Sequence, residues 1–479
     1  MENKKMKIIS IASIIALALT LVTATYAYFM AQTGEGKSTD IKINANTIDT
    51  FTFEAGSALN LNLNQDNFAS GKGNQTGTTF AKAMLTANNK TNTATEHYYL
   101  YLNISNNTFT YSIDNNTPEI LLSIKDSSNN EITTLTGLTY KTVTDGKGAS
   151  IKGFDITNKK GLVTILNNRE ITTTSTKTEE WNVTVTFVNY NSNQAGNAGK
   201  NFSAKLMIQK EEYKQTLVEY VKSQYTGTQG ENSLYYHDST LVNGAGDNSY
   251  RYAGASESVN NYICLGSDEA TCPDANLFRI IGVFGDKTKV IRAKSVGDQK
   301  WDTNNSNTWS SSSLNTYLNG TYLTSLGTLA DKIATTTWKV GGGTYANISQ
   351  SVPATAYQYE VGSSASTTTV DKKIGLMYVT DYYYSASPSA WTLVGYNSSD
   401  ATKDYRAAKT TNWLYLDSTE WTISRYSDDT YDAFAVFSTG YVGRYVVVTS
   451  RGVRPSFNLE SSVKYVSGSG SMSDPVRVN

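Results

Sequence analysis

The chain has 479 residues, of which 17% are charged and 39% hydrophobic, with a formal net charge of −1. So even a balance excludes a broad basic field for nucleic acid or anionic lipid, and the length exceeds what one hydrophobic core supports. Proline at 6 and glycine at 35 argue against wholesale disorder, so two or more folded domains are expected.

Residues 1–29 read as a signal peptide or signal anchor. Lys4, Lys5 and Lys7 precede a run from Ile8 to Phe29 without a single charge. As a helix, at about 1.5 Å per residue, that run reaches the thickness of a bilayer core. Lysines on its leading side favour an inside N-terminus, which puts residues 30–479 outside the cytoplasm. The segment either stays as a membrane anchor or is cut after small residues such as Thr25 and Ala27. The expected location is therefore the cell membrane with extracellular domains, or the medium if the leader is removed.

Residues 30–210 alternate apolar and polar side chains, the period of strands with one buried face. In Trp181-Asn-Val-Thr-Val-Thr-Phe187 the odd positions are apolar, and Phe202–Ile208 repeats the pattern. Ile41–Ile43, Leu59–Leu63, Tyr98–Ile104, Ile120–Ile124 and Leu162–Leu166 are further strand candidates. Turn signals such as Asn115-Asn116, Asn129-Asn130 and Asp145-Gly146 separate them, and the spacing predicts a β-sandwich domain. The segment Thr25-Tyr-Ala-Tyr-Phe29, closing the leader ahead of strand-like sequence, resembles secreted camelysin and biofilm-matrix fibre proteins of Gram-positive bacteria. That resemblance implies a jelly-roll-like domain, exported through a dedicated signal peptidase and sometimes polymerised by strand exchange.

Residues 211–230 break the strand period. Leu217, Tyr220, Val221 and Gln224 share a helical face, so a short helical linker is expected before the two glycines of Tyr225–Gly230. From 231 to 479 the pattern is α+β. Phe278–Phe284, Val446–Thr449 and Val453–Leu459 read as buried strands, and Ser310 as the cap of a helix that Asn319-Gly320 ends or kinks. Asp474-Pro-Val-Arg-Val reads as a final edge strand, where proline is tolerated. Through Asp247–Tyr252, Asn260–Cys264, Leu277–Phe284, Ile374–Tyr378 and Gly452–Leu459 this domain resembles a domain of unknown function in surface proteins of gut-associated Gram-positive bacteria. Trp309, Ser312, Leu314 and a terminal Gly-x-Arg-Pro strand are more distantly similar to C-type-lectin-like and formylglycine-generating-type folds.

Chemistry-bearing motifs are mostly missing. The two histidines, His97 and His237, stand far from each other and from any nucleophile motif, so no catalytic residue is assigned. Cys264 and Cys272 are the only thiols; outside the cytoplasm they are expected to pair, because two cysteines alone are too few for a soft metal site. No metal or cofactor is expected: the acidic clusters at 267–269 and 427–432 lack the spacing of a calcium loop, and the calcium-and-sugar triplets of C-type lectins are missing. Gly341-Gly-Gly343 reads as a flexible turn, and Arg451 and Arg454 as partners for internal carboxylates. What stands out is Tyr382, Tyr383, Tyr384, Trp391, Trp413 and Trp421, whose rings either fill a core or form a surface that stacks on sugars or anchors a protein.

These readings converge on a mainly β chain with an N-terminal transmembrane or signal helix, a β-sandwich and an α+β domain, possible in C-type-lectin-like form. The expected role is a non-enzymatic cell-surface protein that displays a glycan- or protein-binding module and is held to the membrane by its first helix. A subunit of an extracellular matrix fibre, through self-assembly, is the alternative. An exported enzyme working through carboxylates such as Asp417 and Glu420 is the least favoured.

Overall fold

The computed structural model describes residues 49–63, 72–88, 92–392 and 408–479, so the expected leader and the candidate strand Ile41–Ile43 lie outside the described residues. No helix among the described residues is long and apolar enough to cross a membrane. The chain divides into two compact units between Tyr213 and Lys214.

The first unit is built from two antiparallel sheets, because alternation gives each strand one apolar face that another sheet must cover. The six-stranded sheet runs in the order Thr50–Ala55, Gln75–Thr86, Thr176–Phe187, Ile120–Asp126, Ser150–Asp155, Tyr140–Thr144. Leu59–Asn62, Asn201–Gln209, Ala94–Asn107 and Gly161–Thr173 form the four-stranded one. Trp181, Val183, Val185 and Phe187 point into a core with Leu100, Leu102, Ile104 and Phe202 of the facing sheet, as the alternation predicts. Trp181 also donates through Nε1 to the Tyr98 hydroxyl, which donates to Glu179, so the indole is satisfied as well as buried.

The second unit is α+β. Among the described residues its largest sheet has nine strands; Ile374–Gly375, Ser456–Leu459, Lys287–Arg292, Leu277–Phe284, Tyr262–Cys264, Val476–Val478 and Tyr465–Ser467 follow one another, and the hairpin of Leu234–His237 and Ser249–Tyr252 joins through Leu277–Phe284. Asp298–Lys300, Ser450–Gly452, Glu420–Arg425, Asp432–Val436 and Val442–Val446 make a second sheet, and Thr336–Lys339 pairs with Thr369–Lys372. Leu277–Phe284 is buried along nearly its whole length, as a run apolar on both faces should be. The sulfur atoms of Cys264 and Cys272 are joined, closing the loop between them.

Several local expectations change. The helix of the 211–230 segment covers only Leu217–Ser223, started by a Thr216/Glu219 capping box, and Leu217 and Val221 are buried in the core of the second unit. Ser312, not Ser310, caps the helix Ser313–Tyr317; of the two outcomes expected at Asn319-Gly320, an end or a kink, the chain takes the second, a π-turn at Leu318–Tyr322 followed by the helical Leu323–Ser325. The strand expected at Val446–Thr449 stops at Val446, and Pro455 delays the one expected at Val453–Leu459 until Ser456. Val476–Val478 is not an edge: it lies between Tyr262–Cys264, in parallel, and Tyr465–Ser467. Nor is Gly341–Gly343 a loose turn. Gly342 has a φ of +63° and leaves no room for a Cβ against the Arg425 carbonyl.

Candidate functional site

The aromatic cluster singled out in the sequence is interior. Tyr382, Tyr383, Tyr384, Trp391, Trp413 and Trp421 are each at most 3% exposed. Five of them spend their polar atom on backbone: Tyr382 donates to Gly440 O, Tyr383 to Ile348 O, Trp391 to Ala386 O, Trp413 to Tyr252 O and Trp421 to Gln299 O. Rings so placed stabilise the fold and offer no flat face for stacking on a sugar, which corrects the binding role expected of them.

The other candidates are also structural. His237 is buried; its Nδ1 accepts from Ala245 N–H, and burial together with the Arg251 charge holds its pKa down to about 3. His97 lies on the surface beside Glu170. Glu420 is buried against Arg454 at 2.7 Å, and burial pushes its carboxyl above the usual range despite that cation. It is therefore an internal partner for Arg454, as expected of that arginine, and not an accessible acid. Arg451 instead lies over the Tyr445 ring at 4.0 Å. In the acidic cluster at 427–432, Arg444 pairs with both Asp429 and Asp432.

A cleft of about 250 Å³ in the second unit brings together residues that the sequence left scattered. Lys289 comes from the strand Lys287–Arg292, Arg251 from Ser249–Tyr252, Trp338 from Thr336–Lys339, Tyr357 from the helix Pro353–Glu360, and Asp381 from the helix Val379–Tyr384. Lys289 Nζ lies 2.5 Å from Asp381 Oδ2, and both side chains are buried. The ammonium faces Tyr378, Trp338 and Phe284 at 4.5, 5.3 and 5.7 Å from the ring centroids. Burial holds the Lys289 pKa below its ordinary value in spite of Asp381.

A second pair joins the buried Arg251 to the half-buried Asp247 at 2.6 Å, with the guanidinium within 4.7–5.5 Å of the rings of Phe284, Tyr384 and Tyr357. Burial would raise Asp247, but Arg251 and the hydrogen bonds from Ser249 bring it to about 2. Beneath these pairs, Glu360 fixes the start of the helix Val379–Tyr384. Its carboxylate accepts from Val379 N–H and Thr380 N–H at 2.8 Å each, from the Thr380 hydroxyl at 2.6 Å and from Ser424. Burial pushes the Glu360 carboxyl up. The floor of the cleft is thus charged and rigid, while Phe284, Tyr357 and Tyr378 stay half-buried at its lining. Such a lining has the chemistry to take a small polar group against aromatic faces.

Residues 285–461 match a family model described as a domain of unknown function (DUF6273). The match covers less than half of the chain; it contains Lys289, Trp338, Tyr378 and Asp381 and begins after Asp247 and Arg251. No curated protein and no solved structure matches the chain.

Proposed function

We propose that this is a non-enzymatic surface protein whose second unit is a binding module, with the cleft around Arg251 and Lys289 as the place where a glycan or a segment of a surface protein docks. The observation that carries this reading is the half-buried Phe284, Tyr357 and Tyr378 beside the Arg251–Asp247 ion pair. Rings of this kind contribute apolar contact, and the fixed charges select for polar groups. The uncharged run at Ile8–Phe29 and the paired cysteines favour display outside the cytoplasm. The purified protein is expected to retain ligands on a glycan array with or without chelator. Thr337→Arg, which places a long charged side chain at an exposed position of the cleft, is expected to abolish that retention with the fold intact. Equal retention by both proteins would place the ligand elsewhere.

The fibre reading draws on a different observation. Among the described residues, Thr50–Ala55 and Tyr140–Thr144 are the outer strands of the six-stranded sheet, and outer strands offer unpaired backbone groups to another chain. Electron microscopy of secreted material separates the two readings: filaments favour a matrix subunit, discrete particles on cells a display protein.

A further inference from the structure

We infer that Lys289 and Asp381 condense to an intramolecular isopeptide bond, joining Lys289 Nζ to Asp381 Cγ inside the second unit. The inference rests on geometry that needs no ligand. Nζ already lies 2.5 Å from Oδ2, so the carbon that would be attacked is one bond further on. Both side chains are buried, at 6% and 3% exposure, and three aromatic rings surround the ammonium.

A lysine attacks only as the free amine, and desolvation beside a second cation favours that form. Here burial and the neighbouring Arg251 both lower the Lys289 pKa. The acceptor is equally well placed: Tyr378 N–H donates to Asp381 Oδ2 at 2.8 Å, where negative charge develops as the carbonyl carbon becomes tetrahedral. Glu360 acts as a positioning residue, since its carboxylate holds Val379 N–H and Thr380 N–H and so fixes the helix that carries Asp381.

The step balances without any co-reactant. One ammonium proton first passes to the Asp381 carboxylate, leaving a free amine and a carboxylic acid; the Nζ lone pair then forms the bond to Cγ, and the Cγ–Oδ1 bond breaks. Two of the three ammonium protons leave with Oδ1 as water, and Oδ2 remains as the amide oxygen under Tyr378 N–H. Condensation of an amine with an acid is slow between free molecules in water, whereas well-oriented groups react with effective molarities of about 10⁵–10⁸ M. The open cleft gives the water a way out.

Mass spectrometry of the whole protein, denatured, reduced and digested with protease, tests this directly. The expected result is a branched peptide joining the segments that carry Lys289 and Asp381, lighter by one water than their sum. Asp381→Asn should give the same branched peptide by loss of ammonia, and Lys289→Arg should give none. Two linear peptides at their full sequence masses in the unsubstituted protein, or a branch at any other pair, would overturn the inference.

Discussion

At the scale of single residues, burial decides what a side chain can do, and burial is what a lone sequence conceals. Tyr382-Tyr-Tyr384 occupies the helix Val379–Tyr384, every residue of which is buried, so no polar face marks which rings are inside. The cleft residues were hidden for a related reason: Lys289 stands in the ordinary-looking Lys-Thr-Lys-Val-Ile-Arg292, and only folding brings Asp381 beside it. His237 gives this scale its prediction. Its pKa is about 3 in the fold against an ordinary value near 6.5. A depressed histidine contributes stability that is fully present above the unfolded value and is lost as pH falls. The loss therefore starts at pH ~6.5 and continues toward the folded value at up to about 1.4 kcal/mol per pH unit. Asp247 adds to it only further down, below its own unfolded value. His237→Asn retains an acceptor for Ala245 N–H and removes the titration. Urea unfolding at pH 7 and pH 5 should show a clearly smaller difference for this variant than for the parent; equal differences would remove His237 as the cause.

Elements were legible where one period governs a whole strand. Trp181–Phe187 and Phe202–Ile208 lie where alternation places them, because each packs one face on a core and turns the other outward. Ends were harder to read. Val446–Thr449 is β-branched throughout yet turns after Val446, since Val447 N–H is taken by Tyr431 O and Thr449 N–H bonds back to Val446 O. Close approach between elements was not legible at all. Gly282 lies in the strand Leu277–Phe284 opposite Arg251, and a Cβ there would overlap the Tyr250 carbonyl oxygen and the Arg251 backbone. Gly282→Ala must push the hairpin of Leu234–His237 and Ser249–Tyr252 off the sheet, at about 1–3 kcal/mol or more. Gly320→Ala meets no atom within 4 Å and lies in a helical stretch, where alanine is favoured by up to about 1 kcal/mol. Denaturant midpoints should fall for the first variant and hold or rise for the second. A neutral Gly282→Ala would mean that the hairpin is not held this closely.

At the scale of the whole molecule, the mainly β character and the presence of more than one folded unit follow from alternation and length, and the division at Tyr213/Lys214 lies inside the 211–230 segment where the strand period breaks. Each unit has a core of its own: Trp181, Phe187 and Leu102 belong to one, Phe278, Ile280 and Phe457 to another. Two separate cores should melt as two events. The bond between Cys264 and Cys272 belongs wholly to the second unit, so its reduction should weaken that unit alone. The nine-residue loop corresponds to about 2.6 kcal/mol in the chain-entropy account. At roughly 2–4 °C per kcal/mol for a domain of this size, that shifts one transition downward by about 5–10 °C. Calorimetry of the purified chain before and after reduction should show one peak moving and the other in place. If both peaks moved together, or a single peak covered the whole chain, the cores would be one cooperative system and the division at Tyr213 would have no energetic meaning.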